Sequence, residues 1–458
     1  MPNILETIVA YKRQLISNTP DFDELSLSQG GFKAALSQPQ FGFIMEVKKA
    51  SPSKGLIRSD FDLTEISKVY DQYADAISVL TEDRFFQGSF SKLAQVRAAT
   101  SKPILCKDFI LLPKQVRQAR HYGADAVLLM MSVLSDHEYM LCAAEAKRLN
   151  MDVLTEVHDN QELKRAVALD AEIIGINNRN LKNLQTSLSI TKLMSALVPQ
   201  DKIIVTESGI NNHQDVLSLA PFADACLVGS SLMAQQDLAT AAKQLVYGDI
   251  KICGVTNQED ADIVATNPSS SLGIIFAESS KRKIHTEVIK AKLPIVGVFQ
   301  NQSQEFVLDK VQQYQLQQVQ LHGDESQAYI SELKQQLDPA IKVSKVIHMN
   351  RKSILLDYQG VDELLLDSQV GKQQGGTGTR FDWELLQSPQ YQSQQSQIRV
   401  AGGVAADNVQ LLKQLGYAKI DICSGSELKV GIKSKDKIEM IFKNAKVLAR
   451  SYQKLRVA

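Results

Sequence analysis

The sequence predicts an α/β protein built as two tandem (β/α)8 barrels, the TIM-barrel architecture. Its 458 residues exceed what one hydrophobic core usually fills, so two domains are expected. Short apolar runs recur roughly every 20 to 35 residues, the spacing of a strand followed by a helix, and eight such units close a parallel barrel. The pattern runs through the first half of the chain and then starts again.

The first half contains eight candidate strands, preceded by an amphipathic helix over Ile4 to Ile16. These strands are Phe43 to Val47, Ala76 to Leu80, Pro103 to Lys107, Asp125 to Met130, Asp152 to Glu156, Ile173 to Asn177, Lys202 to Thr206 and Asp224 to Val228. The second set is Ile250 to Cys253, Leu272 to Phe276, Pro294 to Val298, Leu316 to Gln320, Ile341 to Val346, Glu363 to Asp367, Ile398 to Ala401 and Ile420 to Cys423. We expect one barrel over residues 1–248 and the other over residues 249–458.

Composition and charge limit the classes of function. Hydrophobic residues make up 44% of the chain and charged residues 22%, as in an ordinary globular protein. Because 51 basic residues balance 51 acidic ones, we expect neither nucleic acid nor a membrane as a partner. The N-terminus lacks a signal-peptide pattern, and no run approaches ~20 apolar residues. We expect a cytoplasmic monomer that acts on small molecules.

The cysteines and histidines give no sign of a metal site. The five cysteines are scattered and form no C-x-x-C pair, which predicts neither a disulfide framework nor a zinc site. The seven histidines show no spacing typical of metal ligands. We therefore expect no metal and no cofactor.

Two glycine-containing turns recur at matched positions in both halves. They are Glu207-Ser208-Gly209-Ile210 and Gly229-Ser230-Ser231 in the first half, and Ala401-Gly402-Gly403-Val404 and Ser424-Gly425-Ser426 in the second. Glycines there let backbone N–H groups approach a phosphate, at the usual phosphate site of such barrels. One such turn alone is equally an ordinary turn, but the repetition favours one phosphate site in each barrel.

Ionisable and amide side chains come where the strands of the first half end, which is where such barrels carry their active sites. Glu46 and Lys48 lie two residues apart, so both point to one face of a strand. Phe86 and Phe109 follow strands two and three and suggest a slot for an aromatic ring. The other strand-end groups are Lys107, Glu156, Asn177 with Arg179, and Glu207 with Ser208. The set favours acid–base chemistry on an aromatic sugar phosphate.

These motifs make the whole first half resemble indole-3-glycerol-phosphate synthase. The segments that carry the resemblance are Glu46 to Ser53, Cys106 to Phe109, Thr155 to Val157, Gly175 to Leu181, Thr206 to Ile210 and Val228 to Leu232. That family closes the indole ring of 1-(2-carboxyphenylamino)-1-deoxyribulose 5-phosphate with loss of carbon dioxide and water.

The resemblance implies a role for each residue. Lys107 is the general acid on the substrate carbonyl and hydroxyl, and Glu156 is its acid–base partner. Lys48 lies by the carboxylate that leaves, supported by Glu46, Asn177, Arg179 and Glu207. The substrate-binding residues are Ser51, Ser208, Gly209, Gly229 and Ser230 around the phosphate, and Phe86, Phe109 and Leu184 around the anthranilate ring. We expect neighbouring cations to depress the pKa of Lys107, which lets it donate a proton near neutral pH.

In the second half, a thiol and a carboxylate face each other. Cys253 ends strand one, and Asp367 ends strand six, nearly across the barrel. Cys253 alone would be read as a buried core residue. His322 follows strand four, and a glycine-rich loop over Gly375 to Gly378 is long enough to close over a substrate.

With the segments 401–404 and 421–425, these residues resemble phosphoribosylanthranilate isomerase, from Lys251 to the end of the chain. The resemblance implies that Asp367 protonates the furanose ring oxygen and that Cys253, as thiolate, removes a proton from the neighbouring carbon in an Amadori rearrangement. Arg282 would bind the anthranilate carboxylate, although Lys281 replaces the proline usual before it. Further implied substrate-binding residues are His322, Gly402, Gly403, Ser424 and Gly425. Cys423 stands where a serine is common and is interpreted as structural.

Together the halves resemble the fused bacterial enzyme for two consecutive steps of tryptophan biosynthesis. One alternative is another phosphate-binding barrel, such as a sugar-phosphate epimerase or aldolase. It would need metal-ligating histidines or a Schiff-base lysine, and it leaves Cys253 opposite Asp367 unexplained. The other alternative is a half that binds phosphate without catalysis, but each half retains an acid and a base.

Overall fold

Eight parallel strands close into a barrel in each half of the chain, which confirms the predicted pair of (β/α)8 barrels. The computed structural model describes residues 4–17, 19–22, 24–180, 184–285, 289–349, 358–370, 373–374 and 380–453. The chain divides into a first unit, Met1–Val246 with Leu448–Ala458, and a second unit, Tyr247–Val447. Among the described residues, no helix has both the length and the apolar character needed to cross a membrane.

The first barrel begins where the sequence predicts, and each strand pairs with its neighbours in the chain until strand eight meets strand one. Its strands, numbered one to eight, are Gly42–Val47, Ala76–Leu80, Ile104–Lys107, Ala126–Met130, Asp152–Val157, Ile173–Asn177, Ile203–Glu207 and Ala225–Val228. Alternate apolar side chains such as Ile44, Leu105, Leu154 and Val205 fill the inside of the barrel.

The first unit contains the helices that surround its barrel and one short helix that closes an end of it. They are Ile4–Ile16, Phe32–Leu36, Leu63–Tyr73, Phe90–Ala99, Pro113–His121, Asp136–Arg148, Asn160–Ala168, Ser189–Met194, His213–Leu219, Ser230–Met233, Leu238–Tyr247 and Arg450–Gln453. Several begin at a capping side chain; Asp62, for example, accepts hydrogen bonds from the N–H groups of Thr64 and Glu65. The helix predicted over Ile4–Ile16 is confirmed.

The short helix Phe32–Leu36 closes the amino-terminal end of the first barrel, a feature that the sequence pattern did not predict. Phe32 and Leu36 are buried in the same apolar cluster as the inward side chains of the strands. A side chain at Gly42 would approach Leu36 to 3.2 Å, so the glycine leaves room for this plug. The open end of the barrel is therefore the one where the strands finish.

The last described residues of the chain pack in the first unit. The Ala449 N–H donates to the carbonyl of Pro39 at 3.0 Å. Arg450 is 5% exposed and reaches the Asp224 carboxylate at 3.2 Å and the Lys202 carbonyl at 2.8 Å. The C-terminal segment thus supplies a buried cation to the first barrel.

The second barrel has the same topology. Its strands, numbered one to eight, are Asp249–Cys253, Ser271–Ile275, Ile295–Phe299, Gln318–Leu321, Lys342–Met349, Glu363–Val370, Ile398–Val400 and Lys419–Ile422. Strand six pairs with strand five and strand seven, and strand eight pairs with strand one, which closes the ring. The α-helices are Gln258–Ala265, Gln304–Tyr314, Gln327–Gln336, Pro389–Gln392, Val409–Gln414 and Lys435–Ala445.

Strands five and six of this barrel are longer than predicted. They continue to Met349 and Val370. In the added part, His348 pairs with Asp367 and Met349 pairs with Ser368. The prediction that Asp367 ends strand six is therefore wrong, since three more residues follow it in the strand. Asp367 still faces the interior, where it is buried.

We predict that Arg450→Gln lowers the free energy of unfolding of the first unit by roughly 1 to 3 kcal/mol, because it leaves the buried Asp224 carboxylate without its cation. The only tryptophan of the chain, Trp383, lies in the second unit. Urea unfolding by circular dichroism should therefore show an earlier transition, whereas the tryptophan fluorescence transition stays in place.

The control is Arg148→Gln, which removes a mostly exposed guanidinium paired with Glu145 and should change stability by less than about 0.5 kcal/mol. Equal transitions for Arg450→Gln and Arg148→Gln would contradict the stabilising role of Arg450.

Candidate active sites

A cavity of 440 Å³ lies at the carboxyl ends of the first barrel's strands, within the size range of small-molecule sites. All the site residues predicted for this half line it: Glu46, Lys48, Ser51, Phe86, Lys107, Phe109, Glu156, Asn177, Arg179, Leu184, Glu207, Ser208, Gly209, Gly229 and Ser230. The N-terminal helix also lines the cavity through Ile4, Leu5 and Ile8, which the sequence pattern did not connect with the site.

Lys107 lies at the centre of the charged groups in this cavity. Its Nζ is 2.8 Å from Glu207 Oε2 and 3.2 Å from Glu156 Oε2. Burial alone would lower the pKa of Lys107, but the carboxylates of Glu207, Glu156 and Glu46 outweigh it and raise the pKa. The expectation of a depressed pKa is therefore wrong, because the nearest charges are carboxylates rather than cations.

The two carboxyl groups that pair with Lys107, those of Glu207 and Glu156, differ in their affinity for a proton. Burial and the neighbouring Glu156 carboxylate raise the pKa of Glu207 to about 7. Burial also acts on Glu156, but Lys107 and His158 hold its pKa well below the usual range. Near neutral pH the cavity thus contains an ionised Glu156 beside a Glu207 that exchanges a proton readily.

His158 belongs to this charge network, although the sequence analysis did not single it out. Its Nε2 lies 3.2 Å from Glu156 Oε1, and its Nδ1 lies 3.1 Å from Glu162 Oε2. Burial opposes the imidazolium form, but the two carboxylates raise the pKa of His158 to about 10. Glu156 and His158 lie two residues apart at a strand end, and this spacing could have identified His158 from the sequence.

Glu46 lies near the end of strand one and Lys48 just beyond it, and the two form an ion pair in the cavity. Arg179 Nη1 donates to Ser53 Oγ at 3.0 Å, across the rim of the cavity. The Asn177 side chain accepts from the Arg179 N–H at 3.0 Å and hydrogen-bonds to Glu156. The supporting residues implied by the resemblance are thus linked to one another.

The cavity contains both the predicted aromatic residues and the predicted phosphate turns. The rings of Phe86 and Phe109 are 6.2 Å apart and tilted by 39°. The turn at Gly209 has a φ of +85°, and a side chain there would come within 2.5 Å of Thr186. These turns can present their backbone only because the glycines leave the space open.

In the second barrel, Cys253 and Asp367 are buried, with exposed fractions of 5% and 6%. Burial raises the pKa of Asp367 to about 7, even though the Ser368 N–H donates to its Oδ1 at 2.7 Å. The interaction with Cys423 and burial hold the pKa of Cys253 well above its usual value. The free protein therefore favours a neutral thiol at Cys253, rather than the thiolate that the resemblance implies.

His322 lies beside Asp367, with 3.5 Å between Nε2 and Oδ2. Burial, assisted by His348, lowers the pKa of His322 to about 3, so this imidazole is neutral. The two histidine rings are 5.2 Å apart. The sequence pattern placed His322 at a strand end but did not identify His348.

A buried ion pair lies deeper in this barrel and was also missed. Lys251 Nζ is 2.8 Å from Asp421 Oδ2, and it donates to Gln320. Lys251 is two residues from Cys253 on the same face of strand one. Its positive charge lowers the pKa of Cys253, against the larger effects of burial and Cys423.

Arg282 forms a buried ion pair with Glu427. Its Nε and Nη2 donate to the two carboxylate oxygens of Glu427 at 2.7 and 2.9 Å, and only 9% of the residue is exposed. Its side chain passes over Gly254, where an added Cβ would meet Arg282 Cδ at 3.0 Å. Arg282 therefore lies next to Cys253, and Glu427 fixes its orientation.

The predicted phosphate turns of the second barrel adjoin each other. Gly402 and Gly403 have φ values of +76° and +69°. A side chain at Gly425 would lie 2.1 Å from the Val404 carbonyl oxygen, and Ser424 opens the same turn. The glycine-rich loop of residues 375–378 lies outside the described residues.

Comparison with known families assigns a different enzyme to each barrel. Residues 5–245 match the family model of indole-3-glycerol phosphate synthase. Residues 250–444 match that of N-(5'-phosphoribosyl)anthranilate (PRA) isomerase. Among solved structures, a phosphoribosyl anthranilate isomerase from Thermus thermophilus is 26% identical, with a TM-score of 0.38, and the match covers 43% of this chain and 97% of that one.

Curated relatives match nearly the whole chain. The tryptophan biosynthesis protein TrpCF of Vibrio cholerae is 48% identical over 91% of this chain and 89% of its own length. That of Vibrio parahaemolyticus is 44% identical over 96% and 94%, and that of Haemophilus influenzae is 43% identical over 88% and 86%. The chain therefore belongs to the family of bifunctional tryptophan-biosynthesis enzymes that join an N-terminal indole-3-glycerol phosphate synthase to a C-terminal phosphoribosylanthranilate isomerase.

Proposed function

We propose that the groups at the strand ends of each barrel carry out that barrel's reaction independently of the other. The C-terminal barrel isomerises N-(5-phosphoribosyl)anthranilate to 1-(2-carboxyphenylamino)-1-deoxyribulose 5-phosphate. The N-terminal barrel converts this product to indole-3-glycerol phosphate with loss of carbon dioxide and water. The observation that carries the proposal is the pair of separate acid–base centres, Lys107 with Glu156 and Cys253 with Asp367.

In the first barrel, Lys107 donates a proton to the substrate carbonyl oxygen while the ring carbon that bears the carboxylate attacks the carbonyl carbon. Carbon dioxide then leaves beside the Lys48 ammonium. This loss restores the aromatic benzene ring. A second proton from Lys107 converts the new hydroxyl to water, and Glu156 takes the proton from the five-membered ring that completes the indole double bond. Glu207, with a pKa of about 7, returns a proton to Lys107 between the two transfers.

In the second barrel, Asp367 donates its proton to the furanose ring oxygen, which opens the ring. The thiolate form of Cys253, the minor form in the free protein, removes the proton from the neighbouring carbon, and the resulting enolamine takes up a proton on the carbon next to nitrogen to become the ketone. Asp367 suits this role because burial keeps it protonated up to about pH 7. Both reactions consist of proton transfers and rearrangements within the substrate, so we propose that neither uses a metal or a cofactor.

The remaining predicted residues bind the substrates. We assign the phosphates to the paired glycine turns of each barrel and the anthranilate ring of the first substrate to Phe86, Phe109 and Leu184. Ser51 and Ser208 lie in the same cavity as the first pair of turns. Arg282 reaches the second substrate's carboxylate from a position that Glu427 fixes. His322 contacts the substrate beside Asp367 as a neutral imidazole.

We predict that single substitutions separate the two reactions. A positioned acid or base contributes about 10² to 10⁴ in rate, so Lys107→Met or Glu156→Gln should nearly abolish ring closure, and Cys253→Ala or Asp367→Asn should nearly abolish isomerisation. Each reaction is measured alone with its own substrate, without added metal. Each variant should keep the other reaction.

Lys68→Met and Asp309→Asn are the matched controls, because both side chains are exposed at the surface, and they should keep both activities. Mixing Lys107→Met with Asp367→Asn should restore the two-step conversion. Normal isomerase turnover by Cys253→Ala, or loss of both activities in a variant that remains folded, would contradict the assignment.

The raised pKa of Asp367 makes the stability of the second unit depend on pH. The group binds a proton more tightly in the native than in the unfolded state, so stability falls as pH rises from about 4 to about 7. We predict that Asp367→Asn removes this loss and raises the free energy of unfolding at pH 8 by on the order of 1 kcal/mol or more. Urea titrations followed by Trp383 fluorescence at pH 5.5 and pH 8 test this.

A stability gain for Asp367→Asn of the same size at pH 5.5 and pH 8 would show that the pKa of Asp367 is not raised. The exposed Asp309→Asn serves as the control and should show no gain at either pH.

We further propose that residues 1–248 and 249–458 are the functional units, and that the chain works as a cytoplasmic monomer. Fragments with these bounds should each keep one reaction, because each contains a complete barrel. The fragment 1–248 should lose more stability than the fragment 249–458 when it is separated from the full chain, because it lacks Leu448–Ala458. Light scattering of the full chain at micromolar concentration should give the monomer mass; a dimer mass, or two inactive fragments, would refute the respective proposal.

A further inference from the structure

Two thiols lie side by side at the active end of the second barrel. Strands one and eight are parallel neighbours in which Ile252 lies opposite Ile422. Cys253 follows Ile252 in the chain, and Cys423 follows Ile422. Neighbouring strands are about 4.8 Å apart, which falls within the Cα separations of about 4.4 to 6.8 Å that a disulfide bridges.

The side chains of the two cysteines are close enough to change each other's pKa. The interaction raises the pKa of Cys253 and lowers that of Cys423. Glycines keep the surrounding space open: an added Cβ at Gly254 would lie 2.9 Å from Cys423 Sγ, and one at Gly273 would lie 2.7 Å from Cys253 Sγ. Gly254 and Gly273 therefore leave the space beside the two sulfur atoms free of side chains.

We propose that Cys253 and Cys423 form an oxidative modification site, in which a hydroperoxide converts the two thiols to a disulfide that stops isomerisation and leaves ring closure running. Formation of the bond follows from the adjacent positions of the two thiols on paired strands. The loss of isomerase activity rests in addition on the proposed role of Cys253 as the base.

The chemistry balances with one molecule of hydroperoxide. The sulfur of Cys423 attacks one peroxide oxygen, the O–O bond breaks, and the leaving oxygen takes up a proton to form water or an alcohol. The sulfur of Cys253 then attacks the sulfenic acid of Cys423. The S–S bond forms, the S–O bond breaks, and the departing hydroxide takes the Cys253 proton as water. Two thiols are oxidised and one peroxide is reduced.

The structure favours Cys423 as the sulfur that reacts first. Cys423 is partly exposed, whereas the other four cysteines are buried. The interaction with Cys253 lowers the pKa of Cys423, and the cations of Lys433 and Arg282 add to this effect against the burial of the group. By contrast, burial raises the pKa of Cys106 and of Cys142 to about 12. Oxidation should therefore select this pair.

The test compares the full-length chain with Cys423→Ser, Cys423→Ala and, as the matched control, Cys142→Ala. Each protein is treated with hydrogen peroxide, and both activities are expressed relative to the same protein untreated. We expect the unsubstituted chain and Cys142→Ala to lose isomerase activity, keep ring closure, and lose about 2 Da in mass. Peptide mapping should show a Cys253–Cys423 cross-link, and dithiothreitol should restore activity.

The Cys423 variants should keep isomerase activity under the same treatment and show no loss of 2 Da. Equal sensitivity of Cys423→Ser or Cys423→Ala, or absence of the cross-link in the inactivated chain, would overturn the proposal. A cross-linked chain with full isomerase activity would refute the proposed loss of isomerisation and would also refute Cys253 as the base. Cys253→Ala, measured without peroxide, tests that role separately.

Discussion

The closure of eight parallel strands is the constraint on which both active sites depend. A closed parallel sheet turns alternate side chains inward and brings the carboxyl ends of all its strands to one rim. Lys107 and Glu207 are a hundred residues apart in the chain, yet the closure brings them within 2.8 Å. The same alternation places Lys251 below Cys253 in the second barrel. The plug formed by Phe32–Leu36 closes the opposite end of the first barrel, so chemistry is confined to the rim.

The two barrels differ in how ionisable groups buried at the carboxyl ends of their strands are paired. In the first barrel, three carboxylates around Lys107 keep the ammonium charged despite its burial. In the second barrel, burial raises the pKa of Asp367 to about 7 and lowers that of His322 to about 3, so Asp367 holds its proton up to about pH 7 and His322 is neutral. A network of opposite charges suits repeated proton transfers, as ring closure requires. A buried neutral acid suits a single proton donation, as ring opening requires.

Glycines on neighbouring strands make room for the groups that carry charge or react. A side chain at Gly175 would lie 2.2 Å from Glu207 Oε1, and one at Gly229 would lie 2.2 Å from Glu46 Oε1. A side chain at Gly273 would lie 2.7 Å from Cys253 Sγ, and one at Gly402 would lie 2.8 Å from the Ser368 N and 3.1 Å from Asp367 Oδ1. Each of these ionisable side chains therefore extends toward space that a glycine leaves empty, and a side chain at any of the four glycines would displace its neighbours.

The sequence by itself determined the two barrels, the order of their strands and the residues that reach each rim, because strand spacing and side-chain alternation are local properties of the chain. It failed where the outcome depends on which distant groups become neighbours. The shift in the pKa of Lys107 was predicted with the wrong sign, and the sequence pattern singled out neither His158 nor the Lys251–Asp421 pair. Barrel closure decides these distances, and electrostatic effects follow distance and burial rather than residue type. Only the tertiary structure could therefore decide how the rim residues are charged and paired.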